Sequence, residues 1–367
     1  MKNFSTYRRR RGGFALVMVL MLVAVAATMG MACLSASGIE MAGTENLRRA
    51  ARSRYLAESG VFHALALLQR DPDAPAAIGG HASTSYSADS TGDTYAYTVS
   101  GGSSGRYTLT ASANSGGVCQ AVGMTIKLSS SYLTDLIAKG PLTYWRLGEG
   151  SGATAGEVVR GANGTYFNTG YGETGALAGD SNRCARFNGV SSYVKMPNSS
   201  LYQVANGTFV LWFKPTTLPQ TAALFSKNNN KEQAYDDQFE IRLDNQGRVG
   251  AEFTRYRIAH GLSGGTVQLN QWHCVAVTFG SGGMKLYVDG VLVASNSYTG
   301  GLQGNADPII LGASASSSPV WQGWPLRDYF RGQIDEVAMF TTVKSAQQIQ
   351  QIYDAQAADV TIISWDR

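Results

Sequence analysis

The sequence predicts a mainly β protein with one long N-terminal α-helix, a small antiparallel sheet after it, and a larger β-sandwich towards the C-terminus. Three observations predict this fold class. An uncharged apolar stretch lies near the N-terminus, 43 glycines and 18 tyrosines suit many short strands joined by tight turns, and apolar and polar residues alternate along much of the second half. A chain of 367 residues is expected to form two or three domains.

The distribution of charge argues against a nucleic-acid partner. The formal net charge is +4, but the first thirteen residues contain Lys2 and Arg8, Arg9, Arg10 and Arg11 and no acid. The other Lys and Arg residues are nearly balanced in number by the 26 acids, so the basic character belongs to the N-terminal segment.

The apolar stretch is long enough to span a membrane. No charged residue occurs from Phe14 to Ile39, and about 20 apolar residues in a helix cross the hydrocarbon core of a bilayer. A cleaved signal peptide has a shorter apolar core, and a lipobox at Cys33 would have Leu where this chain has Gly30. We therefore expect a helix that holds an exported domain, with the basic residues on the cytoplasmic side.

The start of this helix resembles the leader of type IV prepilins. The string RRRRGGF places Gly13 directly before Phe14. In that family a prepilin peptidase cuts after the Gly and N-methylates the new first residue. Major pilins carry Glu at the fifth mature position, which is Met18 here, and its absence resembles PilX-type minor pilins and K-type minor pseudopilins. The resemblance implies cleavage at Gly13, methylation of Phe14, and other pilin or pseudopilin subunits as partners in the inner membrane and then in a filament.

A second half-helix and a small sheet follow. Leu47, Tyr55 and Phe62 recur at helical spacing, which predicts an apolar face with arginines opposite, and Asp71-Pro72 ends the pattern. Alternating residues from 95 to 111 predict antiparallel strands. We assign a leader to residues 1–13, a membrane or filament-core helix to 14–39, and a minor-pilin-like helix and β region to 40–128.

The second half of the chain predicts a β-sandwich. Segments such as GTFVLWFKP and MKLYVDGVLVAS have strand character, and Asp244-Asn245-Gln246-Gly247 and Asp289-Gly290 are turn signals. About a dozen such strands require two packed sheets. We assign the sandwich to residues 129–357 and a C-terminal tail to 358–367.

Several strings of this half resemble the laminin-G-like (LamG-like) branch of the concanavalin A-like jelly rolls. YWRLGEGSG is similar to the opening of such domains, and FRGQIDEVAMFTTVKSAQQIQQIY is similar to their closing strand and short helix. The resemblance covers about residues 132–355. It implies a jelly-roll β-sandwich that binds a ligand at the cell surface.

The same resemblance implies a calcium ion as cofactor. Asp335 and Glu336 are adjacent on one predicted strand, so one of them points inward, where a carboxylate needs a cation or several hydrogen bonds. By resemblance Asp335 is the metal ligand, together with oxygens of Asp180 and Asn182. Hydrogen bonds from backbone amides to Asp335 are the alternative.

Loop aromatics make carbohydrate a candidate ligand, because sugar rings stack on aromatic rings while their hydroxyls need donors and acceptors. The candidate ligand-binding residues are Trp321, Trp324, Tyr329, Tyr235 and Asp237. Packing of the two tryptophans against the edge of the sandwich is the alternative.

No catalytic signature is found in the sequence. GxSxG, HExxH and P-loop motifs are missing, and Glu240 and Glu252 lack the close carboxylate cluster of a jelly-roll glycosidase. We expect a binding module and no enzyme. Cys184 and Cys274 leave two alternatives open, a disulfide in an oxidising compartment or two buried thiols.

Together these patterns predict a minor pilin-like or pseudopilin-like subunit of a type IV pilus or a type II secretion-like system, which displays an adhesion module. The alternatives are a membrane-anchored surface lectin with no pilus role and a secreted glycan hydrolase.

Overall fold

The computed structural model describes residues 12–70, 86–87, 93–102, 105–218, 220–228, 238–256, 258–315 and 326–366. Over these residues the chain is mainly β, with one long N-terminal helix and antiparallel sheets that form a jelly-roll-like sandwich. The predicted fold class is confirmed.

Helix α1 runs from Gly12 to Arg70, so the predicted membrane segment and the second half-helix are one continuous helix. Its apolar first half is exposed where its side chains are described, for example at Leu22 and Ile39, which are 72% and 73% exposed. Within the described residues, α1 is the one helix that is long and apolar enough to cross a membrane.

The second half of α1 packs on an antiparallel sheet, and we call the two together the head unit. The sheet contains β1 (Tyr86–Ser87), β2 (Thr94–Gly101), β3 (Arg106–Ser115) and β4 (Val118–Ser129). Small or branched side chains of α1, including Ala57, Val61 and Ala64, are buried against it. Gly60 permits the close approach, because a Cβ there would lie 2.9 Å from the Cβ of Ala111.

The face of α1 that contacts the sheet differs from the predicted apolar face. Leu47 and Tyr55 are 74% and 70% exposed, and Phe62 is 49% exposed. The sheet selects the side of the helix with Ala, Gly and Val because only small side chains let a helix backbone lie this close to strands. Leu65, which continues the same apolar spacing, does pack against the head core, whereas Leu47, Tyr55 and Phe62 form a stripe of large apolar side chains that faces outward.

Over its described residues, the sandwich contains eighteen strands and two short α-helices. In chain order they are α2 (Tyr132–Ala138), β5 (Thr143–Trp145), β6 (Thr154–Ala155), β7 (Gly164–Phe167), β8 (Gly170–Thr174), β9 (Arg183–Asn188), β10 (Tyr193–Met196), β11 (Gly207–Pro215), β12 (Ala222–Lys227), β13 (Gln238–Leu243), β14 (Arg248–Arg255), β15 (Ile258–Thr266), β16 (His273–Phe279), β17 (Met284–Val288), β18 (Val291–Asn296), β19 (Ile309–Leu311), β20 (Ser314–Ala315), β21 (Leu326–Arg327), β22 (Arg331–Phe340) and α3 (Ala346–Asp354).

Most of these strands form two packed sheets. Sheet I has the order β15-β14-β13-β12-β19-β10-β7-β6, and sheet II has the order β18-β17-β16-β11-β22-β9-β8, with β5 also paired to β22. Their inner faces enclose a core rich in aromatic rings, including Phe209, Phe225, Phe239 and Phe279. Helices α2 and α3 pack on the outer face of sheet II through residues such as Leu136 and Ile349.

Both predicted turns are confirmed. Asp289 and Gly290 have φ angles of 50° and 78° and join β17 to β18 as a two-residue hairpin loop, since Val288 pairs with Val291. The carboxylate of Asp244 accepts hydrogen bonds from the backbone N–H of Gln246 and Arg248 and so closes the β13–β14 turn.

The C-terminal segment returns to the head unit. Residues Asp359–Asp366 form β23, which pairs antiparallel with β4 as the fifth strand of the head sheet. The expected tail at 358–367 is thus a strand over most of its length, because β4 offers an unpaired edge and Trp365 packs 5.3 Å from the ring of Phe62 on α1. The sandwich is therefore inserted between β4 and β23 of the head unit.

The two units meet at the C-terminal end of α1. The backbone N–H of Ala358 donates to the carbonyl of Gln69 at 2.8 Å. The Gln356 amide donates to the carbonyls of Arg70 at 2.6 Å and of Ala176 at 3.1 Å. These contacts satisfy helix-end carbonyls that lack partners within the helix.

Candidate ligand-binding face

The outer face of sheet I carries polar side chains where its strands alternate, as β13 and β10 do. On β13, Phe239 and Ile241 point into the core, so Glu240 and Arg242 point outward. The same alternation on β10 buries Val194 and Met196 and turns Tyr193 and Lys195 outward.

Strand register aligns one row of outward residues across seven strands. The cross-strand partners in this row are Thr165, Lys195, Ile310, Ser226, Glu240, Glu252 and Gly261. Ile310 and Ser226, in the middle of the row, are buried, and the Ser226 hydroxyl donates to the carbonyl of Ala313 at 2.8 Å. The segment that begins β20 thus lies over the centre of the face and leaves exposed or half-buried groups on both sides of it.

Two carboxylates lie directly opposite each other on one side of that centre. Glu240 on β13 pairs with Glu252 on β14, which places their Cβ atoms about 5 Å apart. Arg242 contacts Glu252 with Nη2 to Oε2 at 3.2 Å, and the Thr254 hydroxyl donates to Glu252 Oε1 at 3.1 Å. Glu252 therefore contacts both a cation and a hydrogen-bond donor.

Glu240 has a different environment. Its Oε2 accepts from the hydroxyl of Ser314 at 3.2 Å and lies 3.4 Å from the Asn228 amide, both of them neutral donors. Burial raises the pKa of Glu240 to about 7, and the nearby Arg242 only partly opposes this. The two opposing carboxyl groups therefore differ in their surroundings, because among the described residues a cation contacts Glu252 and only neutral donors contact Glu240.

Aromatic rings occupy the other side of the face. Phe167 on β7 and Tyr193 on β10 are register partners, and their rings stack with centroids 4.4 Å apart and an interplanar angle of 10°. Tyr329, which follows β21, is half-buried, and burial with the neighbouring Tyr193 raises its pKa. Lys195 is exposed next to this pair.

Of the predicted ligand-binding residues, Tyr329 is described and lies at this face. Trp321, Trp324, Tyr235 and Asp237 lie outside the described residues. Sequence reasoning missed Tyr193 and Phe167, although period-two alternation in SYVKM and GTYF places both opposite core residues.

The predicted metal residues come together at a second place, next to strand β22 of sheet II. The carboxylate of Asp335 accepts from the backbone N–H of Ala176 at 2.8 Å and of Glu336 at 3.0 Å. Asp180 lies 2.6 Å from Arg146 Nη2, and the Asn182 amide lies 3.4 Å from Glu336 Oε1. The cluster matches the predicted set, but Arg146 stands at its centre.

Asp335 and Glu336 do not point to opposite sides as simple alternation predicts. Glu336 has a φ of 52°, and the pairing of β22 with β11 shifts register between Val210 and Trp212. This β-bulge buries both carboxylates, which are 1% and 0% exposed. Burial raises the pKa of Asp335, while the two amide hydrogen bonds and Arg146 lower it.

The arrangement does not suit a calcium ion as it stands. Glu336 accepts from Arg146 Nε at 3.0 Å and Nη2 at 2.8 Å and from the hydroxyl of Tyr144, and the Asp335 oxygens accept backbone amides. Across the described residues, no group of three or more His, Cys, Asp or Glu is arranged to hold a metal. A calcium ion here would have to displace the Arg146 guanidinium, so the calcium site stays a prediction.

Lys227, on strand β12 of sheet I, is a second positively charged side chain with buried contacts. Lys227 ends β12 and is fully buried, and its Nζ donates to the Asn305 carbonyl at 3.0 Å, Asn305 Oδ1 at 3.1 Å and the Asp307 carbonyl at 2.5 Å. The sequence signal was a lysine two positions after the apolar run AALF, in the same strand, where burial demands several acceptors.

The two sandwich cysteines are free, buried thiols. Cys274 lies on β16 and Cys184 on β9, and strands β11 and β22 separate them in sheet II. Three strand spacings amount to about 14 Å, whereas a disulfide needs Cα atoms within about 7 Å. Of the two alternatives, the structure therefore has the pair of thiols and no bridge.

Residues 188–350 match the sequence model of a family described as the concanavalin A-like lectin/glucanases superfamily. They form a concanavalin A-like domain. The matched stretch of this domain extends from the end of β9 into α3 and includes sheet I strands β10, β13 and β14, which carry part of the candidate ligand-binding face.

Solved structures similar to the chain include domain 4 of AbnA, a GH43 extracellular arabinanase from Geobacillus stearothermophilus, in complex with arabinotriose. It is 19% identical, with 58% of this chain and 98% of that chain covered and a TM-score of 0.39. The CBM40 of the Ruminococcus gnavus IT-sialidase, bound to α2,3-sialyllactose, is 20% identical, with 42% and 85% covered and a TM-score of 0.36.

A sialidase of Trypanosoma rangeli in complex with sialic acid is 14% identical, with 72% of this chain covered and a TM-score of 0.46. This chain covers 45% of that sialidase. No curated protein sequence matches the chain.

Proposed function

We propose that this protein is a membrane-held surface subunit whose concanavalin A-like domain binds glycans through the outer face of sheet I. The observation that carries the proposal is the row of outward side chains on that face. It combines stacked rings at Phe167 and Tyr193 with hydrogen-bonding groups at Lys195, Glu240 and Glu252.

This combination suits a sugar better than an apolar ligand or a protein surface. Sugar rings offer C–H faces that pack on aromatic rings, and their hydroxyls need both donors and acceptors to replace lost water. The outer face of sheet II is covered by α2 and α3, so among the described residues sheet I supplies the larger accessible strand surface.

A glycan array tests this function. The full chain in detergent micelles is applied with Ca²⁺ and with a chelator, next to the variants Tyr193→Ala and Tyr55→Ala. Tyr193 stacks on Phe167 at the face, whereas Tyr55 is an exposed tyrosine of α1 in the head unit. We expect glycan signals that Tyr193→Ala loses and Tyr55→Ala keeps. A silent array in both buffers contradicts the proposal.

The mode of display is that of a minor pilin or pseudopilin, with other pilin-like subunits, the prepilin peptidase and the membrane as partners. A single helix supports this, since α1 runs without a break from the apolar segment into the head unit. The sandwich inserted in the head unit is too bulky to sit on every subunit of a tight filament. The chain would therefore occupy a low-copy or tip position in a pilus or secretion filament.

Mass spectrometry of the mature N-terminus tests the pilin role. We expect N-methyl-Phe14 in cells that contain a prepilin peptidase, and full-length protein from a Gly13→Val variant. A Gly12→Ala variant serves as the control and should still be processed. An intact Met1 in the unmodified protein would contradict the pilin role and favour a permanently anchored surface lectin.

The proposed activity is binding, without catalysis. The Glu240–Glu252 pair is the observation that favours the alternative of a glycan hydrolase, since two carboxyl groups with different surroundings lie opposite each other. Incubation of array-positive oligosaccharides with the full chain should release no reducing ends. Release that Glu240→Gln abolishes would replace the binding proposal with a hydrolase.

A further inference from the structure

Glu240 sits where three elements of the ligand-binding face converge. Its Oε2 lies 3.2 Å from the Ser314 hydroxyl of β20 and 3.4 Å from the amide of Asn228, which follows β12. The Asn228 amide also lies 3.1 Å from the Ser314 hydroxyl, so the three groups form a closed triangle. Among the described residues, these contacts all fall on Oε2, and Oε1 accepts no hydrogen bond from them.

Among the described residues, the charged groups around Glu240 come from three elements. Arg242 lies two residues along β13 on the same face, Glu252 lies opposite on β14, and Asp328 follows β21. Arg242 makes its contact with Glu252, so the cation nearest to Glu240 is already engaged. Ser226, its cross-strand neighbour on β12, carries no charge.

These surroundings make the protonation of Glu240 easy to change near neutral pH. Burial is the largest cause of the raised pKa of about 7, Arg242 and the Ser314 hydrogen bond oppose it, and Asp328 and Glu252 add to it. A group with this pKa is about one tenth ionised at pH 6 and about nine tenths ionised at pH 8.

We infer that Glu240 is the residue that determines ligand affinity at this face, by accepting hydroxyls of an uncharged glycan on Oε1 when it is ionised. The inference rests on the proposed glycan-binding function and adds its regulation and ligand class. The protonated acid offers one donor and a weak acceptor in place of two strong acceptor sites, and hydrogen bonds to an ionised acceptor are about twice as strong. Affinity therefore rises as pH increases through 7.

The charge pattern also sets the class of sugar. Ionised Glu240 lies opposite Glu252, and Asp328 adds a third acid, while Arg242 is paired with Glu252. An anionic sugar would place its carboxylate beside these acids. Lys195, the cation of the same row, lies on the far side of the buried Ile310 and Ser226. At Glu240, uncharged oligosaccharides are accordingly the ligand class, and a sialylated one is disfavoured.

The test is a binding titration of the full chain in micelles at pH 6, 7 and 8. The probes are arabinotriose, cellotriose and chitotriose as uncharged sugars, with α2,3-sialyllactose as the charged one. For the uncharged probe that binds, we expect a five- to nine-fold gain in affinity from pH 6 to pH 8, which follows from the ionised fractions. Glu240→Gln has the same shape without the titrating proton, and its affinity should stay constant over this range.

Glu252→Gln is the matched control on the opposite strand. It should keep the pH dependence, with the midpoint at lower pH, because a negative charge that raises the Glu240 pKa is removed. Thermal melts establish that each variant is folded.

The outcomes separate the two proposals. A pH profile that Glu240→Gln shares with the unmodified chain, an affinity that falls with pH, or stronger binding of α2,3-sialyllactose overturns the inference and leaves glycan binding in place. Failure of the folded, unmodified chain to bind any probe at any of the three pH values overturns both.

Discussion

Replacing Arg146 by Met should destabilise the sandwich more than any other single loss of an ion pair that the described residues make. Arg146 contacts Glu336 at 2.8 Å and Asp180 at 2.6 Å, and Glu336 is 0% exposed. The Met side chain fills much of the same volume but leaves Glu336 without its cation at a position where burial already raises the pKa of this carboxyl group well above its ordinary value. Removing one partner of a buried ion pair costs about 3–5 kcal/mol.

That loss corresponds to a fall in melting temperature of roughly 6–20 °C for a domain of this size. The assay is thermal unfolding of the full chain, followed by near-ultraviolet circular dichroism, which reports on the buried Trp145 and Trp212. The control is Arg186→Met, because the contact of Arg186 with Glu173 is exposed and 3.4 Å long and should be worth below about 1 kcal/mol.

A double variant, Arg146→Met with Glu336→Gln, separates charge from packing. It removes the uncompensated carboxylate, so it should recover more than half of the lost stability. If Arg146→Met shifts the melting temperature no more than Arg186→Met does, the claim that Arg146 neutralises this buried cluster is refuted.

Three further predictions concern the thiols, Glu240 and the joint between the units. Without reductant, native Cys184 and Cys274 should resist alkylation and both should react after denaturation, whereas a cross-linked peptide would contradict the strand order. The pKa of Glu240 is raised from 4.5 to about 7, so the folded state holds its proton more tightly; the stability this confers is complete below pH 4.5 and is lost as the pH rises to 7. The melting temperature of the unmodified chain relative to Glu240→Gln should fall over that window, and a rise would contradict the assignment. Gln356→Ala removes contacts with both units and should cost about 1–3 kcal/mol in denaturant unfolding, while Gln347→Ala, exposed on the preceding helix α3, should cost below about 0.5 kcal/mol.

The sequence was most informative where one local rule decides the structure. An uncharged apolar run predicts one helix, and strict alternation around Phe239 and Ile241 predicts the outward position of Glu240. The Asp289-Gly290 turn needs positive φ at both residues, which this dipeptide favours.

Local rules failed where a non-local contact overrides them. The bulge at Glu336 breaks the alternation that Asp335 was expected to follow. The bulge arises where β22 pairs with β11, and nothing in the local sequence IDEV signals it. Arg146 follows a buried Trp in YWRLG, yet only the folded chain brings it to Glu336, 190 residues away. The return of β23 to β4 is equally invisible in a short window, since the partner strand ends at Ser129.

The face of α1 that packs on the head sheet is also decided by a non-local contact. Apolar spacing in α1 favoured Leu47 and Tyr55, but the close approach of the head sheet at Gly60 selects the small side chains instead. The outward stripe is consistent with a helix that contacts neighbours of its own kind, which is the use proposed for it above.

The central claim, that the outer face of sheet I binds the glycan, is tested most directly by hydroxyl-radical footprinting of the full chain with and without an array-positive oligosaccharide. Glycan bound at this face should protect Phe167 and Tyr193 from oxidation. Tyr256, which is 54% exposed in the β14–β15 turn, should be oxidised equally in both samples. Protection confined to residues outside sheet I, with Phe167 and Tyr193 unchanged at saturating oligosaccharide, would contradict it.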